Sequence, residues 1–425
     1  MSGAGSFSMR VRGLFVPAAT TRRVTIFPMN DAPRHPSFAW VVAALAAGQL
    51  LTWAALYYGF SSFVLPMRDE LRWSEATLMG AFSVGLAAWG GASYAVGAAI
   101  DRGHGRAVLG GGAVLAALGL WAWAGVREPW MFYAVWVVLG VSMAMTLYDP
   151  AFIVLTKRYP QRYRQGITAL TLVGGFASTL SFPVVAWSMP ALGWRGTLVA
   201  MGAALLAVVL PLHWWALRGP HEPPARPTHD GPAADITLRD ALRHRTFWLL
   251  ALAFTLYAFG SAALWAHVMP AFASKGLRQG EALAVVVWIG PAQVAGRLLY
   301  AALGRAWSLR VLGAVVLLGL PIALTLFALA QALWVLWLFA AVFGAANGLI
   351  TIVRGGLIPE TFGRAQVGRI GGAMAAIGLL ARAAAPVAAA ALLLVLGGYR
   401  DLLLVLAALG AVAVLSFWLA PALRR

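Results

Sequence analysis

Long apolar runs, punctuated by short clusters of arginine, glycine and proline, fill the chain from residue 38 onward. Twelve runs can be marked, over 38–66, 75–100, 106–126, 130–156, 166–188, 196–217, 246–270, 281–304, 309–330, 333–358, 367–396 and 402–420. About 20 apolar residues carry an α-helix across the hydrocarbon layer, so these lengths predict twelve crossings. Barrel strands would instead show short segments of alternating polarity. The pattern therefore predicts an all-α integral membrane protein.

The one long polar stretch between the runs, 218–245, carries Pro220, Pro223, Pro224, Pro227 and Pro232 and reads as a linker between two halves. Its second part, Ile236 to Arg245, is expected to form a short amphipathic helix on the membrane surface. The predicted organisation is a tail over 1–36, a six-helix bundle over 37–217, the linker, a second bundle over 246–421 and a terminus at 422–425. An offset of about 203 residues places Pro183 on Pro386 and Gly97-Ala-Ala-Ile-Asp101-Arg102 on Tyr300-Ala-Ala-Leu-Gly304-Arg305, and one more residue brings Pro66 onto Pro270. The two bundles are thus expected to be pseudo-symmetric repeats around a midplane site.

Charge fixes the expected orientation. With the N-terminus inside, 22 of the 32 Lys and Arg fall in inner segments, 7 in outer loops and 3 within helices. Cytoplasmic loops are enriched in basic residues, so both termini are predicted to be cytoplasmic. A plasma membrane, in a bacterium the inner membrane, is the expected location. The tail up to Pro36 has no long apolar stretch before a small-residue cleavage site and is not read as a signal peptide; it reads as disordered, or as lying before a true start at Met29.

Composition narrows the function. The chain is 61% hydrophobic and 11% charged, against roughly 25% charged in soluble domains. A net charge of +18 would suit nucleic-acid binding, but the basic residues are scattered through loops between apolar runs. Cysteine is absent, which excludes disulfides and thiol-based metal or redox sites. No H-E-x-x-H motif or G-x-S-x-G elbow occurs, so neither an intramembrane enzyme nor a metal or cofactor is expected.

Gly97, Asp101, Arg102, Gly105 and Arg106, between the second and third runs, form a motif similar to the G-x-x-x-D-R-x-G-R-R signature of the major facilitator superfamily. His104 and Gly105 depart from it. Within that superfamily, Tyr57-Tyr58-Gly59-Phe60 through Arg72-Trp73-Ser74 resembles the monocarboxylate and oxalate/formate transporter branch. So do Tyr148-Asp149-Pro150-Ala151-Phe152 and Asn347-Gly348-Leu349-Ile350-Thr351 with Arg354. The resemblance, over roughly 38–420, implies a twelve-helix fold of two six-helix bundles, a conformational-switch loop at the Gly97 motif, and action as a monomer. In that branch basic residues in helices eight and eleven hold substrate carboxylates, and Arg297 and Arg382 stand at matching places. Gln293 stands where some members carry an acid. Proton-coupled members place a lysine in helix one, which here has neither Lys nor Arg.

The cost of burying charge singles out the same residues. An ionisable group deep in a span costs at least about 2.5–3.5 kcal/mol, so those retained usually work in a cavity. Arg297, Arg354, Arg382 and Asp149 are the deep ones. Their sum of +2 would be completed by an organic anion. Arg382 is too far from either surface to snorkel, and the fork of Arg297 suits a carboxylate. Arg354 lies nearer the cytoplasmic end, where snorkelling or a bond to Asp149 are both open. For Asp149, a switching ion pair, proton carriage and helix packing all stand. His267 is read either as a proton-transfer group or as an interfacial residue. Tyr57, Tyr58, Gln49, Trp53, Tyr257, Trp265, Gln293 and Asn347 are expected to line the cavity.

The expected function is secondary transport of a small mono- or dicarboxylate by alternating access, as proton symport or as exchange against a counter-anion. Drug or metabolite efflux is the competing class.

Overall fold

A backbone in hydrocarbon must satisfy its own amides, and helices do so within one segment. The computed structural model describes residues 36–219, 235–303 and 307–421; among these there is no β-strand. Ten continuous helical runs are long and apolar enough to cross a bilayer. Two of them, Ala76–Ala124 and Tyr163–Ala216, are 49 and 54 residues long, enough for two crossings each at about 1.5 Å per residue. Each of these runs contains one glycine at positive φ, Gly103 (94°) and Gly193 (62°), where helical geometry fails and the chain reverses. The protein therefore has twelve spans, as its apolar pattern predicts.

The first span is α1 (Phe38–Trp53), a π-helical turn (Ala54–Tyr58) and α2 (Gly59–Leu71). The second and third are α3 (Glu75–Ala99) and α4 (Gly105–Ala124), and the fourth is split into α5 (Pro129–Thr146) and α6 (Tyr148–Arg158). The fifth and sixth comprise α7 (Tyr163–Gly174), α8 (Ala177–Ala204), a second π-helical turn and α9 (Leu210–Ala216). After a short α10 (Leu238–Arg243), six single helices complete the fold: α11 (Arg245–Ala273), α12 (Gln279–Leu303), α13 (Leu309–Leu329), α14 (Leu333–Phe362), α15 (Val367–Leu396) and α16 (Tyr399–Leu419). Three spans run past the prolines expected to end them: α2 continues beyond Pro66, closing with the Arg72 amide on the Arg68 carbonyl at 2.9 Å, α11 continues beyond Pro270 to Ala273, and α14 passes Pro359. One proline removes one hydrogen bond, which the turns on either side outweigh. The tail and most of the predicted linker lie outside the described residues; α10 falls within the segment expected to be helical.

The break in the fourth span has a local cause. Pro150 lacks an amide hydrogen, and its ring would clash with the carbonyl four residues back, that of Thr146. Leu147 leaves the helical region (φ −77°, ψ −160°), and the Thr146 and Leu147 carbonyls would be orphaned in the core. Gln49 of α1, fully buried, repairs the break: its Nε2 donates to both carbonyls, at 2.6 and 3.2 Å.

The two halves of the chain meet at one end of the bundle, the end that carries Arg102, Lys157, Arg162, Arg245 and Arg364 and is here termed the basic end. There α3 and α15 lie backbone to backbone. A Cβ on Gly97 would come within 2.0 Å of the Gly368 carbonyl oxygen, and one on Gly372 within 2.5 Å of that of Ser93. Only glycine permits this approach. The second half and the basic-end residues of the first half share one apolar cluster. At the opposite end the first half keeps a separate cluster, to which the second half contributes only Leu379 among the buried residues.

Candidate functional site

The first half contributes an aromatic wall. In the first span the π-helical turn brings Trp53, Tyr57 and Tyr58 together, with ring centroids 5.3 Å (Trp53–Tyr57), 6.1 Å (Trp53–Tyr58) and 5.4 Å (Tyr57–Tyr58) apart. Such turns place extra side chains on one face and recur at functional sites. Trp53 also meets Trp89 at 5.9 Å and Tyr148 at 4.9 Å, so α1, α3 and α6 converge on one indole. Its Nε1 donates to Gln49 Oε1 at 3.2 Å, and the same glutamine holds the break just before Tyr148.

The second half contributes two guanidinium groups. Arg297, on α12, is 4% exposed; its Nε donates to the Gly348 carbonyl of α14 at 2.9 Å, while its Nη1 is buried with no hydrogen-bond partner. That Nη1 lies against Gly175 at the α7–α8 junction, where a Cβ would come within 2.0 Å of it, and the neighbouring Gly174 makes room for the Tyr148 hydroxyl. Arg382, half-buried on α15, donates from Nη2 to the Tyr57 hydroxyl at 3.2 Å, and its guanidinium carbon is 5.8 Å from the Tyr57 ring centroid. Tyr58 is within electrostatic reach of both arginines. Neither arginine has a carboxylate partner among the described residues. An unbalanced guanidinium in a low-dielectric site attracts an anion strongly.

The other deep charges are paired. Arg354 on α14 donates to Asp149 in the first turn of α6, beside a cavity of about 30 Å³ lined also by Phe152, Thr156 and Gly371. Towards the basic end a second carboxylate joins the halves: Asp101 accepts from the Gly368 amide (3.0 Å) and the Arg369 amide (2.8 Å), capping the start of α15, and from Lys157 Nζ at 3.0 Å. Negative charge at a helix N-terminus is favourable both through the dipole and through the unpaired amides. Lys157 also donates to the Ala365 carbonyl at 2.9 Å, and Arg164 pairs with Glu360 across the halves. Asp235, within the predicted linker, accepts from the Ala365 amide at 2.9 Å. Arg102 is exposed, and Arg106 stacks on Trp214 at 3.8 Å.

The structure thus brings Arg297, Arg382, Tyr57 and Tyr58 to one place, with Gln293 one turn before Arg297 and Asn347 beside Gly348 on the helix packed against it. Asp149 and Arg354 meet nearer the basic end. Tyr257 is not brought to the arginines: it is 4% exposed in the core, its hydroxyl buried without a hydrogen-bond partner among the described residues. Neither is His267, whose Nε2 sits 3.1 Å from the Pro386 carbonyl beside Tyr399, between α11, α15 and α16. Gln49 does not line a cavity; it is buried as a backbone partner. The sequence reading missed Trp89, Tyr148, Lys157 and Asp235 as site and seal residues. For Tyr148 a signal was available, since it immediately precedes Asp149 and Pro150.

Residues 45–329 match the family model described as Major Facilitator Superfamily, about two thirds of the chain. The chain belongs to this superfamily. Its members are transporters that handle small molecules in a lipid bilayer, not enzymes. Among curated relatives, human monocarboxylate transporter 11 is 29% identical over 283 residues, 63% of this chain and 56% of the relative, so this chain spans little over half of that relative's length. Monocarboxylate transporter 13 of Rattus norvegicus is 26% identical over 79% of this chain and 78% of its own. Among solved structures, the human organic anion transporter MFSD10 (TETRAN) superposes with a TM-score of 0.69 at 18% identity, covering 90% of this chain and all of that one. That likeness carries the superfamily's two-bundle fold.

Proposed function

We propose that this superfamily member is a secondary transporter of a small organic anion, a mono- or dicarboxylate, working by alternating access. The observation that carries the reading is Arg297, almost wholly buried between the two halves with one Nη1 unbonded. A carboxylate there would complete a charge-assisted hydrogen bond and, with Arg382, offset the local positive charge. The likeness to monocarboxylate transporters supports the same class.

In this reading the basic end is cytoplasmic, as the distribution of Lys and Arg favours, and the structure is the outward-facing state. Substrate enters from the outer side, binds between Arg297 and Arg382, and lets the halves close above it as the Asp101 and Asp149 contacts release below. Proton symport and anion exchange are both compatible with this cycle. The 1–36 tail, the linker over 218–245 and a monomeric working unit belong to the same proposal.

The test is uptake of labelled carboxylates into proteoliposomes. Arg297→Gln and Arg382→Gln are each expected to reduce it strongly. Undiminished uptake in both variants would overturn the reading. Imposing a pH gradient, then preloading substrate on the far side, separates symport from exchange.

A further inference from the structure

The same site has a second property besides charge, and it bears on the body of the substrate rather than its carboxylate. We infer that the transported anion carries its carboxylate on an aromatic or similarly flat apolar group, an inference that rests on the anion reading above.

Three observations lead there. The wall beside Arg382 is built from ring faces: Trp53 is the hub, with Tyr57, Tyr58, Trp89 and Tyr148 around it at 4.9–6.1 Å. Trp53, Tyr57, Tyr58 and Tyr148 are all half-buried, so part of each surface remains accessible. Offset and edge-to-face contact with another ring is favourable there, beyond the gain from removing apolar area from water.

The polar handles of that wall are largely taken. The Trp53 indole N–H is committed to Gln49, and the Tyr57 hydroxyl accepts from Arg382, keeping only its own proton to offer a carboxylate. Beyond that proton, what these two residues still offer is carbon. A short hydrophilic acid would leave these faces against water, whereas a ring would cover them.

The site also lacks a counter-charge for an ammonium group. Among the described residues of the spans the deep carboxylate is Asp149, and it is bound to Arg354. An amino acid would bring its ammonium group beside two guanidiniums with nothing to balance it. The class is therefore a plain carboxylate such as a benzoate or an arylacetate, not an aromatic amino acid.

The experiment measures uptake of labelled benzoate into proteoliposomes, with unlabelled phenylacetate, acetate, lactate and phenylalanine as competitors. Benzoate is expected to move, with phenylacetate competing at about tenfold lower concentration than acetate or lactate, the scale of one good ring contact, and phenylalanine competing weakly. Trp53→Ala is expected to raise the KM for benzoate about tenfold more than that for acetate, while Trp53→Phe, which keeps a ring, retains most of the preference. Acetate and lactate competing as well as phenylacetate, or Trp53→Ala affecting both classes alike, would overturn the ring preference while leaving the anion reading intact. Uptake of neither class, with Arg297→Gln indistinguishable from wild type, would instead remove the anion reading beneath it.

Discussion

The two walls of the site are made in opposite ways. The first half of the chain offers rings held by other rings and by Gln49, with no unpaired charge. The second half offers two guanidiniums that face those rings, one buried on α12 and one half-exposed on α15. Pseudo-symmetric folding has not produced a symmetric site. One half recognises shape and the other charge, so the two can be altered separately.

The largest effect should come from the charged wall. Arg297→Gln removes the buried guanidinium, and truncating one partner of a buried charged hydrogen bond costs about 2–5 kcal/mol. Initial uptake rates are expected to fall by about three-hundredfold, at the middle of that range. For Arg382→Gln, half-exposed and already bonded to Tyr57, the fall should be nearer tenfold. Equal losses at the two positions would mean that burial does not distinguish them.

Next in size is the pair between the halves. Asp149→Asn leaves Arg354 without its carboxylate and is expected to impair transport; the exchanged pair, Asp149→Arg with Arg354→Asp, should recover part of it. Failure of the exchange to recover any activity would assign Asp149 a role of its own, such as carrying a proton.

The seal can be tested without touching either wall. Asp101→Asn weakens bonds to the Gly368 and Arg369 amides and to Lys157. Hydrogen bonds to charged groups contribute about 1.5–3 kcal/mol, so the population open at the basic end should rise about tenfold or more. Because the chain has no cysteine, Ile358→Cys alone, beside the Asp149–Arg354 pair, would report that opening by its labelling rate. An unchanged labelling rate would show that the seal does not depend on Asp101.

The smallest effect concerns stability. Gln49→Leu orphans the Thr146 and Leu147 carbonyls, at about 1–3 kcal/mol for a buried unsatisfied group. The thermal midpoint is expected to drop by several degrees, read by unfolding in detergent. An unaltered midpoint would mean that water takes over the bond.

Much of this was legible in the sequence because a bilayer imposes strong local rules. Span length and the cost of buried charge gave the twelve helices and pointed to Arg297, Arg382, Arg354 and Asp149 without any knowledge of contacts. What stayed hidden depends on distant partners. Gln49 looks like a cavity residue because a glutamine in an apolar helix must bond something, and nothing local reveals that its partners lie 97 and 98 residues away. For Tyr257 and His267 residue type alone is visible in the sequence; which face of α11 they occupy is set by packing. Asp235 was unremarkable until the loop before α15 came to rest on it.

The contact between α3 and α15 has a kinetic consequence. Where Gly97 meets Gly368 and Gly372 meets Ser93, the backbones touch with no interlocking glycine side chains. Separating them frees no trapped rotamers, and bringing them back orders none, so this surface itself adds little friction to the cycle. The tempo of opening would then be set by the few carboxylate clasps around it, and a methyl group at Gly97 would act as a permanent wedge rather than as a loss of grip.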